Sequence, residues 1–219
     1  EEYSDGKGST FFPDKKFWKD FKSSSFLRGG DVKVSRDLNE PFSLRYICAT
    51  FTENMSLITV GTVAFDAIET PFGSSGKVVG GAASYIGLSA SQFIEEQHII
   101  SVIGDDFPES FVQEMESRGI RTTGLERRVG EKSFYWAGKY HLDMNSRDTL
   151  ATELNVLADF KPKVPAEARN ADYVMLGNLD PTVQASVLDQ MESRPKLIVL
   201  DTMNFWMDIA LDPLKEVIK

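Results

Sequence analysis

The residues best suited to chemistry lie between positions 66 and 81. Asp66 closes an apolar run, LITVGTVAFD, and Gly80-Gly81 opens a second periodic stretch, AASYIGLSASQFIEE. A carboxylate accepts hydrogen bonds from ligand hydroxyls. Paired glycines let the backbone approach a ligand closely and leave free N–H groups of a helix start facing it. Both features also have an ordinary reading: Asp is common in turns, and Gly-Gly suits any tight turn.

Other polar residues follow other apolar runs. VIGDD places Gly104, Asp105 and Asp106 after one of them, with Asp106 read as the cap of the next helix rather than a ligand contact. LGN places Asn178, and LDTMN places Asp201 and Asn204, in the same relation to later runs. Ligands of open α/β sheets bind at the carboxyl edge of the strands. Polar groups at four strand ends therefore point to that edge.

Several chemistries are excluded. There is no G-x-G-x-x-G fingerprint and no G-x-x-x-x-G-K-[ST] phosphate loop. His98 and His141 lack metal-ligand spacing, and His98, at a strand start, reads as structural. Cys48 is the single cysteine, so an intrachain disulfide and a cysteine metal cluster are ruled out, and it reads as a small apolar residue. The run Phe134, Tyr135, Trp136 reads as sheet packing.

These groups need elements to position them, and the composition allows for such elements. The chain has 219 residues, 42% apolar and 26% charged, enough for a proper core. Residues 1–54 carry equal numbers of basic and acidic side chains, so the net charge of −9 resides in residues 55–219. An acidic body argues against a broad nucleic-acid surface but not against a small anionic ligand. No run approaches a membrane span and the first residues lack an apolar signal core, so a cytoplasmic protein with no membrane partner is expected.

From Met55 the pattern alternates. The expected elements are a strand over LITVGTVAFD, a short strand GKVVGG, and a helix AASYIGLSASQFIEE whose apolar face is Ala82, Tyr85, Ile86, Ala90, Phe93 and Ile94. A strand HIISVIG leads to a helix DDFPESFVQEMESRG, with Asp106 as N-cap, Glu109 in a capping box and Gly119 as the stop. IRTTGLERR, KSFYWAGKYHLD, DYVMLGN and KLIVLDT read as strands. VPAEARNA, PTVQASVLDQMES and NFWMDIALDPLKEVIK read as helices. Alternation of this kind predicts an α/β fold, a mostly parallel sheet flanked by helices. Segments 67–79 and 130–150 break it, and are expected to form a small β lid over the strand ends. Residues 1–54 show no sustained period beyond a short amphipathic stretch, FFPDKKFWKDF, and read as an appended, irregular or non-native segment.

From Met55 onward the sequence resembles the PfkB, or ribokinase-like, carbohydrate and nucleoside kinases. VGTVAFD looks like the family's opening strand with its sugar-binding Asp. GGAASY is similar to its G-G-x-x-x-N signature, VIGDDFPESF to its V-G-x-D-x-F-G segment, and RGIRTTGL to its helix-to-lid passage. ADYVMLGN and LIVLDTMN look like the middle strands. The resemblance implies a ribokinase-like fold and ATP-dependent phosphorylation of a sugar or nucleoside hydroxyl, with ATP and Mg as cofactors of the complete protein. It implies that Asp66, Gly80, Gly81, Tyr85, Lys139 and Asn178 line the substrate pocket and that Asn204 lies toward the nucleotide. It also implies a possible homodimer through the lid.

Two departures qualify that expectation. Tyr85 stands where the family usually has Asn, exchanging an amide contact for a phenol. The family's G-A-G-D motif, which supplies the phosphate-binding helix start and the catalytic carboxylate, is absent from this sequence. Phosphoryl transfer is largely positioning and charge stabilisation. The chain is therefore expected to be the substrate-and-lid half of a kinase, with no catalytic residue of its own, no tight ATP or Mg binding, and no activity alone. The alternative is a truncated, non-catalytic sugar-binding or interaction module.

Overall fold

The computed structural model describes residues 55–219, which fall within one structural unit, Asn54–Lys219. The expectations for residues 1–54, including the FFPDKKFWKDF stretch and Cys48, lie outside the described residues.

The strands are β1 (Ser56–Val60), β2 (Ala64–Thr70), β3 (Gly73–Gly80), β4 (Glu96–Gly104), β5 (Ile120–Arg128), β6 (Tyr135–Tyr140), β7 (Arg147–Glu153), β8 (Tyr173–Leu176) and β9 (Leu197–Leu200). The helices are α1 (Ala82–Ala90), α2 (Glu109–Ser117), α3 (Pro181–Leu188), α4 (Asn204–Ile209) and α5 (Leu211–Ile218). Two single-turn 3₁₀ segments, Asn155–Leu157 and Ala166–Ala168, lie between β7 and β8. VPAEARNA thus forms one 3₁₀ turn rather than an α-helix.

The larger sheet runs β5-β4-β1-β8-β9 and all its pairings are parallel. Its two central strands, SLITV and EQHIISVIG, are buried along almost their whole length, as expected where helices cover both faces. On one face Ile58, Val60, Ile100, Val102, Val174 and Leu176 pack against Val187 of α3, with Val217 of α5 alongside. On the other, Ile99, Ile103 and Ile120 pack against Ala83 of α1 and Val112 and Met115 of α2. This is the α/β architecture expected.

The smaller sheet runs β3-β2-β6-β7, with β2 and β6 parallel and the outer pairings antiparallel. It accounts for the two segments that interrupt the alternation. Ties between the sheets include Gly104 N–H to Ser133 Oγ (2.9 Å) and Val63 N–H to Ser101 Oγ (3.1 Å).

Three local expectations need correction. LITVGTVAFD is not one strand: the chain leaves the larger sheet at Gly61 and enters the smaller at Ala64, so Asp66 lies inside β2. A Cβ on Gly61 would stand 3.2 Å from Ala83 N, and this close approach of α1 accompanies the turn. Second, α1 buries Ala83, Ser84 and Gly87, while Tyr85 is 60% exposed and Phe93, beyond the helix, is exposed too. Small residues win because they bring the helix axis close to the sheet: a Cβ on Gly87 would stand 3.0 Å from Ile99 Cδ1. Third, α2 is preceded by Pro108 without a side-chain cap. Asp106 instead accepts from Ser133 N–H (2.7 Å), and Glu109 pairs with Arg127 (2.8 Å). Gly119, with φ +84°, follows the helix end as expected.

β9 is one of the two edges of the larger sheet, with Leu197 55% and Val199 43% exposed. Among the described residues no helix is long and apolar enough to cross a membrane.

Candidate functional site

From β1 the chain moves to β4 and β5 on one side, passes through the smaller sheet, and returns to β8 on the other side of β1. Strand order therefore reverses between β1 and β8. In an open parallel sheet the loops at such a point diverge and leave a crevice at the carboxyl ends. Gly61 and Thr62 follow β1 there, Gly177 and Asn178 follow β8, and the α1 start joins them: a Cβ on Gly177 would lie 3.3 Å from Gly61 Cα and 3.5 Å from Ala82 Cβ.

Asp66 reaches this place from β2. Its Oδ2 accepts from Gly81 N–H (3.4 Å). A Cβ on residue 80 would stand 1.9 Å from that same oxygen, so only glycine leaves room for the carboxylate. Gly81 has φ +94°, and a Cβ there would meet Thr62 O at 2.3 Å. Burial pushes the Asp66 carboxyl above its ordinary value, against the lowering effect of the Gly81 N–H.

The α1 start is less open than the sequence suggests. Ala82 N–H donates to Thr62 Oγ1 (3.0 Å) and Ala83 N–H to Thr62 O (2.9 Å). These groups cap the helix internally rather than facing a ligand. Ser84 Oγ donates to Gly80 O (2.8 Å), fixing the glycine pair from below.

On β6, Trp136 stands beside Asp66 in parallel register. Partners in such a pair share a face, so the indole and the carboxylate lie on one side of the smaller sheet. A Cβ on Gly138 would meet the Trp136 ring at 2.0 Å, so the ring lies across that glycine. The Arg147 guanidinium stands 5.9 Å from the ring centre. The packing role expected of Trp136 agrees with its contact across Gly138, and its place beside Asp66 follows from the alternation of KSFYWAGKYHLD aligned to β2.

No family model and no curated protein matches the sequence. Solved structures do. A nucleoside kinase of Methanocaldococcus jannaschii, described as an archaeal member of the ribokinase family, superposes with a TM-score of 0.57 at 18% identity, over 75% of this chain and 58% of its own. A ribokinase of Cryptococcus neoformans, solved with ADP, gives 0.52 at 15%, over 69% and 49%. A PfkB protein of a Polaromonas species gives 0.51 at 13%, over 74% and 62%.

The fold is ribokinase-like. At these identities the likeness is one of fold, and the chain spans 49–62% of the length of the three structures.

Within this ribokinase-like frame the expected site residues divide. Asp66, Gly80 and Gly81 are in contact, and Gly177 brings Asn178 to the same strand edge. Tyr85 is turned outward, its hydroxyl donating to Val79 O (3.3 Å). Lys139 is exposed and pairs in register with Glu69, three residues beyond Asp66; alternation puts it on the opposite face from Asp66 and Trp136. The structure does not bring Lys139 to the carboxylate. Asn204 begins α4 and is exposed, while Asn178 Oδ1 accepts from Trp206 Nε1 of that helix (2.8 Å).

A concavity of about 380 Å³ between residues 159–162 and α3 shares no residue with this group. It is lined mainly by apolar surface and satisfied polar groups such as Gln190, with Asp159 and Lys161 among its lining residues. Among the described residues no cluster of three His, Cys, Asp or Glu side chains could hold a metal ion. With two α1 N–H groups tied to Thr62 as well, the donor set here does not fit a Mg–triphosphate group.

Proposed function

We propose that this chain is the substrate-and-lid part of an ATP-dependent kinase that phosphorylates a hydroxyl of a sugar or nucleoside. The observation that carries the reading is the Asp66 carboxylate packed against Gly80–Gly81 at the crevice where strand order reverses. A half-buried carboxylate held by a single long N–H contact keeps acceptor capacity for ligand hydroxyls. Trp136, on the same face, supplies an aromatic platform for the apolar side of a sugar ring. The smaller sheet carries both and forms the lid. The kinase names of the structural neighbours agree with this reading. Lys139 has no place in it, because its side chain lies on the opposite face from Asp66, and Tyr85 stays beside the glycine pair with its hydroxyl on Val79 O.

In this proposal ATP and Mg belong to the complete protein, and phosphoryl transfer needs the G-A-G-D segment that this sequence lacks. A second reading is a sugar-binding module without catalysis, which the Asp66–Gly81 group would serve equally. The test is Asp66→Ala in the complete protein, assayed with ATP, Mg and D-ribose or adenosine. A loss of about 2–4 kcal/mol in kcat/KM is expected with the fold intact, the range for a positioned polar contact. An unchanged rate removes Asp66 as a substrate ligand. Binding of D-ribose by the 219-residue chain, with phosphoryl transfer absent from the complete protein, selects the second reading.

A further inference from the structure

We infer that Asn178 meets a ligand only as a hydrogen-bond donor, and that Trp206 and Gln184 are the positioning residues that hold it so. This rests on the reading above, takes Asn178, which follows Gly177 at the same strand edge, as part of the polyol site, and adds the polarity of its contact.

The orientation of the Asn178 amide follows from chemistry. An indole carries one N–H and no acceptor. Trp206 Nε1 lies 2.8 Å from the Asn178 side chain, so the atom it meets is the carbonyl oxygen. The amide NH₂ is what remains, and among the described residues no hydrogen bond engages it. Trp206 is itself steadied by Phe205, whose ring meets it edge-on at 4.9 Å.

Gln184 sets the distance over which that bond is made. Its side chain is fully buried on α3. One Nε2 donates to Gly177 O (2.8 Å) and to Asp201 O (3.0 Å). Gly177 immediately precedes Asn178, and Asp201 opens the loop that leads into α4 and Trp206. Both amide protons thus tie together the residues that follow β8 and β9. The Gln184 Oε1 has no partner in the interior. A buried unpaired oxygen is a cost, and the two donated bonds are what the residue provides in return.

The consequence is a site of mixed polarity. Asp66 takes protons from ligand hydroxyls, while Asn178 gives them to a ligand oxygen. A polyol or its ring ether meets both demands, since each of its oxygens accepts and each of its hydroxyls donates. A ligand offering only N–H groups at the Asn178 end leaves the amide unpaired and is disfavoured.

The test needs no ligand, so failure of sugar binding would count against the proposed function alone. The ¹⁵N-labelled 219-residue chain has three tryptophans and therefore three indole N–H resonances. Trp206→Phe identifies one by its loss. Exchange of that proton with solvent is expected to stay slow in Asn178→Asp, which keeps an acceptor. It should quicken about fivefold or more in Asn178→Leu and Gln184→Met, the factor matching a typical net hydrogen bond. Gln190→Met, removing another amide that bonds Pro162 and Ser186, should leave it unchanged. The Asn178 NH₂ pair, assigned by its absence from Asn178→Asp, should exchange freely in the parent chain. Slow exchange of that pair would overturn the donor role. An indole unmoved by Asn178→Leu, or moved equally by Gln190→Met and Gln184→Met, would overturn the positioning roles.

Discussion

The Asp66 carboxylate fills the space that a side chain on residue 80 would need. The two positions sit diagonally across the β2–β3 pair, and a Cβ on Gly80 would stand 1.9 Å from Oδ2 and 2.5 Å from Cγ of Asp66. Gly80→Ala must therefore displace the carboxylate or part the strands, at about 1–3 kcal/mol, the usual range for overpacking. The two sites are coupled, so Asp66→Ala should relieve most of that cost. Urea unfolding of both single variants and the double variant measures this. A double variant with additive losses would show that the clash is taken up elsewhere.

Asp66 should also reveal itself through pH. Burial raises its carboxyl above the ordinary value, with the Gly81 N–H opposing. A raised folded value means that the group contributes stability below its unfolded value, and that this contribution is lost as pH rises through the folded value. At neutral pH the ionised side chain therefore weighs against the fold. Asp66→Asn is expected to be at least as stable as the parent at pH 7, with the difference shrinking as pH falls toward 4. A parent more stable than Asp66→Asn at pH 7 would assign the carboxylate a structural role.

Asp106 behaves in the opposite sense. Burial is the largest influence on it and acts upward, but hydrogen bonds from Ser133 and the charge of Lys77 together hold its carboxyl below the ordinary value. Lys77 Nζ stands 3.4 Å from Asp106 and 4.0 Å from the centre of the Phe65 ring, so β3 is latched to the loop after β4. The stability this gives is present above the unfolded value and lost as pH falls through the folded one. Asp106→Ala strands the N–H of Ser133, a buried residue, which should cost about 1–3 kcal/mol. Amide exchange along β6 should accelerate while β1 and β4 remain protected. Uniform acceleration would mean that the latch is not local to the smaller sheet.

Much of this arrangement was legible in advance, and its limits have physical causes. The strand–helix alternation after Met55 marked the larger sheet, and the interruptions near 67–79 and 130–150 marked the smaller one. The adjacency of Asp66 and Gly80 could be read because a short hairpin joins them. The burial of α1 could not: hydrophobic periodicity favours Tyr85 and Ile86, whereas close helix–sheet packing selects Ala83, Ser84 and Gly87. The break at Gly61 was hidden because both halves of LITVGTVAFD are apolar, although they serve different sheets. Asp106 matched a cap pattern locally but found Ser133, distant in sequence. The Asn178–Trp206 and Gln184 contacts depend on where β8, β9 and α3 come to lie, which no local pattern encodes.

The buried imidazole of His98 predicts sensitivity to mild acid. Burial, then the Arg121 charge, hold its pKa below the ordinary value, with Glu96 acting against them. Neither ring nitrogen has a hydrogen-bond partner, and the Glu96 carboxylate at 3.7 Å from Nε2 is beyond hydrogen-bond reach. The unfolded chain takes up a proton near pH 6.5, whereas the folded chain resists it until lower pH. Stability contributed by neutral His98 is thus complete above that value and falls as pH drops below it, by at most about 1.4 kcal/mol per pH unit for one proton. His98→Leu removes the titrating group while filling similar space. Urea midpoints of parent and variant, compared from pH 8 to pH 5, should show the variant gaining on the parent below pH 6.5. A difference that stays constant across that range would mean that the folded chain protonates His98 as readily as the unfolded one does.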